Sequence, residues 1–173
     1  ITQLDLVIKE IQKGKGTNAM AIETAGRLGT ATSVDALIAA LSTDYKAEAT
    51  AALLAFNGNI NERVTTALKT ATGDLQLALL DIANTRRIKS ASPQVFELIN
   101  SSDATVAAAA LKALPGVVTK DNATQLAGMM DKASGEKAAI YQQAFTASIK
   151  GMNAEEQYKV ISSEIQKASN KAR

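Results

Sequence analysis

Four groups of side chains in this sequence have the type and spacing for chemistry, and each also has a plain structural reading. Lys13-Gly14-Lys15-Gly16-Thr17 has the composition of the tail of a phosphate-binding loop, in which backbone amides and a lysine cradle phosphate oxygens. The upstream glycine and preceding strand that such a loop needs are missing. An apolar stripe of helical spacing, Leu4 to Ile11, stands in their place, so the expectation is a basic turn. Arg86, Arg87 and Lys89 form the densest basic cluster. Such a cluster grips phosphate or carboxylate bidentately; the structural alternative pairs it with acids near helix starts, Asp74 or Asp103. Glu155 and Glu156 are adjacent acids, but neighbours on a helix point in different directions, and Glu156 stands where it would close a capping box with Asn153. Asp81 lies in the otherwise apolar segment Leu75 to Ala83, with Arg86 and Arg87 about a turn further on to neutralise it.

The absences narrow the chemistry further. With no His, the chain lacks the usual general base near neutral pH and the commonest metal ligand. With no Cys, disulfides, thiolate nucleophiles and zinc-thiolate sites are excluded. The expectation is a chain that is not an enzyme and holds no cofactor and no metal. A formal charge of +2 gives no support for a nucleic-acid partner, which requires basic residues concentrated on one face. No apolar run approaches the roughly 18 residues of a membrane helix, so no membrane insertion is expected.

The elements that carry these residues are legible from periodicity. Leu4/Val7/Ile8/Ile11, Val34/Leu37/Ile38/Leu41, Val64/Ala67/Leu68/Ala71, Ser92/Val95/Phe96/Ile99 and Ala123/Leu126/Ala127/Met130 repeat one quartet spacing at steps near 30 residues. A second series runs between them: Ala21/Thr24/Ala25/Leu28, Ala49/Ala52/Leu53/Phe56, Leu75/Ala78/Leu79/Ile82, Ala107/Ala110/Leu111/Leu114 and Ala138/Tyr141/Gln142/Phe145. That spacing is one stripe of a 3.6-residue helix, and a fixed period between stripes is the pattern of a helical repeat array. The sequence therefore predicts an all-α right-handed α-α superhelix, a solenoid of about five helix pairs preceded by an N-terminal helix, with residues 1–173 as one domain. Leu37, Leu53, Leu79, Leu111 and Phe96 are expected in its core. Gly29, Gly58 and Gly116 stand where they would stop first-series helices; the matching third-repeat position is Arg87. Ser33, Ser92, Asp121 or Asn122, and Asn153 are the expected caps of second-series helices, and Asp44, Asp74 and Asp103 those of first-series helices. Tyr158/Ile161/Ile165 forms a last stripe, expected to cover the open end of the core. The first helix, amphipathic apart from Leu6, is read as the opposite cap.

The stretch Ala21 to Thr43, an Ala-rich helix ending in Leu28-Gly29 followed by a helix beginning Val34-x-x-Leu37-Ile38, resembles the HEAT-repeat family, in particular its short bacterial repeats of the phycobilin-lyase-like type. Ser102 to Gly116 is similar to the first half of another unit, and the resemblance covers roughly residues 17 to 132. Tyr45, Leu75 and Ala104 stand where many members carry Pro or Arg, so the repeats are degenerate. Metal-dependent HEAT-like hydroxylases need paired His-Glu motifs, which a His-free chain cannot supply. The resemblance implies binding through the concave face lined by second-series helices. There, Ala36, Ala40, Thr66, Lys69, Thr70, Gln94, Glu97, Leu98, Gln125 and Met129 lie off the buried stripes. That track is close to neutral and, Lys69 apart, lacks the Lys, Arg and aromatic residues that HEAT-like DNA glycosylases would need. A protein or peptide partner laying a helix or strand into a smooth groove fits it better.

The functional expectation is a monomeric, non-catalytic scaffolding domain. Two alternatives stay open: an accessory domain of a bacterial carbohydrate-acting hydrolase, or a subunit or chaperone of a chromophore lyase. The opening at Ile1 without Met fits a domain excised from a longer protein.

Overall fold

The computed structural model describes residues 3–12 and 19–171, and among them eleven α-helices and no strand. They are α1 (Gln3–Gln12), α2 (Ala19–Leu28), α3 (Ala31–Ala40), α4 (Lys46–Ala55), α5 (Asn61–Thr70), α6 (Gly73–Thr85), α7 (Ser92–Leu98), α8 (Ala104–Val117), α9 (Ala123–Met130), α10 (Gly135–Ile149) and α11 (Ala154–Lys171). Single 3₁₀ turns, Lys89–Ala91 and Lys120–Asn122, precede α7 and α9. The chain is all-α, and the order of one helix followed by five pairs is the one the two stripe series predict. The Lys13 to Thr17 segment lies outside the described residues.

Packing follows alternate helices. α2 packs on α4, α4 on α6, α6 on α8 and α8 on α10; α1 packs on α3, α3 on α5, and α5 on the Lys89–Ala91 turn and α7. Bonds between side chains and their distant partners have the same reach. Arg63 of α5 pairs with Asp35 of α3, Thr65 shares a 2.8 Å hydrogen bond with Ser90, and Ser92 donates to Asn122 at 3.0 Å. Each joins residues about one sequence period apart.

The stripes account for most of the core. Val34, Leu37, Leu41, Leu53, Val64, Leu68, Leu79, Ile82, Val95, Leu114 and Leu126 are all buried. Leu111 and Phe96, expected at full burial, are only partly buried against that core, although Leu53 and Leu79 at the same place in their quartets are fully buried. Leu28 is 40% exposed, and Ile22 is buried in its place. Ile60, Ile88 and Val118 are buried in the turns that lead into α5, α7 and the second 3₁₀ turn. At α1, Ile11 is buried and Val7 and Ile8 are half-buried, while Leu6 faces solvent.

Several helix ends differ from expectation. Gly29 does stop α2 with φ +68°, a conformation glycine adopts without a Cβ penalty. Gly58 has no such backbone, and Gly116 lies inside α8, where a Cβ would come within 2.5 Å of the Asn84 carbonyl oxygen. Gly116 is thus required for the close α6–α8 approach rather than for a stop. Arg87 takes the stop conformation itself, at φ +54°. Ser33 is not the cap of α3. Thr30 is, with Ser33 completing a capping box from the third helical position. Ser92 is already inside α7, and α9 follows a 3₁₀ turn boxed by Thr119 and Asn122. Asp103 caps α8 by accepting from the amides of Thr105 and Val106. Asp44 and Asp74 do not cap: α4 follows Tyr45, and Asp74 lies within the first turn of α6.

The last stripe is a clear correction. Tyr158, Ile161 and Ile165 are 72%, 40% and 62% exposed, so they do not cover the core. α11 meets α9 instead, and its first turn is held by polar bonds: the Gln157 amide donates to the carbonyls of Ile149 and Met152.

Candidate functional site

The exposed side of α3, α5 and α7 carries most of the positions expected to meet a partner. Thr66, Lys69 and Thr70 are exposed on α5; on α7 Glu97 is exposed while Gln94 and Leu98 are half-buried. Two shallow depressions run between these helices. One, of about 430 Å³, is lined by Asp35, Arg63, Thr66 and Thr70. The next, of about 260 Å³, is lined by Lys69, Gln94, Glu97 and Leu98. The Oε1 atom of Gln94 is buried and has no hydrogen-bond partner among the described residues. Ala36 and Ala40 are buried and therefore face the core rather than a partner. Gln125 is exposed and Met129 half-buried on α9, and neither lines those depressions.

The α6–α7 turn holds the basic cluster, and it places three cations in three different roles. Arg86 reaches back one unit and donates to the carbonyls of Leu54 at 3.1 Å, Phe56 at 3.0 Å and Gly58 at 3.0 Å. Lys89 reaches forward and donates to the carbonyls of Gly116 and Val118, both at 2.8 Å. A helix leaves its last carbonyls without intrahelical partners, so these two cations close the ends of α4 and α8. They bind carbonyls, not the acids Asp74 and Asp103 that the sequence suggested. Burial, and then the neighbouring Arg87 guanidinium, hold the Lys89 ammonium pKa below its usual value. Arg87 itself is exposed and is paired with no described carboxylate.

The candidate acids are accounted for by structure. The Glu156 carboxylate accepts the Asn153 amide at 3.0 Å and the Lys120 ammonium at 3.1 Å, and these hold its pKa below the usual carboxylate range. Glu155 pairs with Lys159 at 2.7 Å. Asp81 is exposed, and Arg86 is committed elsewhere. Among the described residues, no three acids gather as metal ligands and no helix is long and apolar enough to cross a membrane.

No family model, curated protein or solved structure matches this chain.

The sequence singles out Arg87 and Lys89 as a candidate phosphate or carboxylate grip, but not the other walls of the recess they line behind the α6–α7 turn. Arg87, Lys89 and Lys150 line it together with Asn84 and Gln142, drawn from α6, the turn and α10. Asn84, Arg87 and Lys89 are close in sequence, whereas Gln142 and Lys150 lie far along the chain. The signal that was available is Arg87 itself, a bulky residue at the place where the first repeat carries Gly29.

Proposed function

We propose that this chain is a HEAT-like right-handed α-α superhelix that acts as a non-catalytic scaffold, binding a protein or peptide along α3, α5 and α7. The superhelical part is supported by alternate-helix packing and by side-chain bonds that repeat at about one period. The binding part is carried by the line of shallow depressions, whose walls mix hydroxyl, amide, charged and apolar groups. A bound segment that donates to Gln94 Oε1 would relieve an orphaned acceptor, a state that costs about 1–3 kcal/mol. The cation density is low, since Arg63 already pairs with Asp35, and this favours a polypeptide over a nucleic acid.

Photocrosslinking tests this reading. A photoreactive residue at Thr70 or Leu98 should trap one discrete polypeptide, and the same residue at Lys112, on the exposed side of α8, should not. Equal trapping at all three positions, or none at any, would reject the assigned face.

A further inference from the structure

The recess of about 760 Å³ behind the α6–α7 turn has, among the described residues, a lining with three cations and no carboxylate. Its volume lies within the range of small-molecule sites. Lys89 spends two of its three donors on the carbonyls of Gly116 and Val118, and one remains. Asn84, Gln142 and Gln143 each add an amide N–H₂ donor to the same walls. No aromatic ring lines the recess, so nothing there would stack a base.

Arg87 carries the argument furthest. It holds φ +54°, a left-handed conformation that penalises a residue with a Cβ and that Gly29 adopts at the corresponding turn of an earlier unit. Arg86 and Lys89 on either side hold the adjoining helix ends, whereas the Arg87 guanidinium closes no carbonyl and pairs with no described acid. The chain thus keeps a strained backbone for a side chain that the fold itself does not use, and strain of this kind concentrates at binding sites. Burial first, and the Arg87 charge second, hold the Lys89 ammonium pKa below its usual value.

We propose that this recess binds a compact multivalent oxyanion, a small organic polycarboxylate or polyphosphate, through Arg87, Lys89 and Lys150, with the Asn84 and Gln142 amides completing its hydrogen bonds. Arg87 and Lys89 also line a depression of about 480 Å³ with Glu62, Thr66 and Lys69, so this site adjoins the α5 face, but its Asn84, Gln142 and Lys150 walls lie outside that face and the proposal does not depend on it.

Calorimetric titration of the whole chain with citrate and with pyrophosphate, at ionic strength matched with chloride, tests the proposal and separates the two anion chemistries. Saturable binding of one equivalent of either anion is expected. Arg87→Gly should weaken it about tenfold or more, the loss of one charge-assisted contact, while leaving the melting temperature unchanged or raised. Lys150→Gln should also weaken binding without changing the melt. No saturable binding of either anion would overturn the proposal, as would affinity indifferent to both substitutions. A lower melting temperature for Arg87→Gly would show that the fold uses Arg87 after all, and would overturn it too.

Discussion

α6 and α11 both display an apolar stripe of helical spacing, yet one is the centre of the core and the other faces solvent. On α6, Ala78, Leu79, Leu80, Ile82 and Ala83 are all buried, because α4, α5 and α8 pack on it. On α11, Tyr158, Ile161 and Ile165 are exposed, and α9 is its neighbour. Periodicity records which residues share a helix face. Whether that face is buried depends on a neighbouring helix being there to receive it. In the interior of a repeat array every helix has a neighbour on both sides, so the stripe and the core coincide; at an end they need not.

Substitutions can widen or erase that contrast. The largest effect is expected for Leu79→Ala, which empties a fully buried position of α6 and should cost roughly 2–5 kcal/mol in denaturant unfolding. Gly116→Ala should follow at about 3 kcal/mol, since its Cβ would meet the backbone of Asn84 and push α8 from α6. Arg86→Ala should cost about 2 kcal/mol by leaving the α4 carbonyls without their charged donor. Ile161→Ser on α11 should change stability by no more than about 0.5 kcal/mol, as for other exposed positions; a loss comparable to that of Leu79→Ala would erase the contrast.

The smallest effect concerns pH and the start of α11. Glu156 has a depressed pKa, so its cap is fully present above the usual carboxylate range and is lost as pH falls through the lowered value. Acid titration followed by the Asn153 and Glu156 amide resonances should show α11 loosening from its first turn. Glu156→Gln should remove that acid step without altering stability trends nearer neutrality.

Helix number, pairing order and the burial of Leu37, Leu53 and Leu79 were legible because 3.6-residue periodicity acts within one helix and the repeat acts between helices. Ile60, Ile88 and Val118 escaped notice, although they recur at nearly the same step, because each lies in a turn where no helical stripe marks it. Gly116 was misread because a helix stop and a close helix crossing both require the absence of a Cβ. The cation roles were hidden for another reason. Arg86 and Lys89 bond backbone carbonyls about 30 residues away, and a carbonyl has no letter in a sequence. On the α5 and α7 face, Thr66, Lys69, Thr70 and Glu97 could be placed outside the core from stripe phase alone, whereas the burial of Ala36 and Ala40 depended on neighbouring helices.

Native-state hydrogen exchange resolved helix by helix tests most directly the claim that neighbours on both sides, rather than amphipathicity, set the stability of each unit. Amides of α4, α6 and α8 should exchange together and slowest, at the free energy of global unfolding, while those of α11 exchange faster by local opening. Protection of α11 equal to that of α6 would contradict the claim, because it would show the exposed stripe to be as firmly held as the buried one.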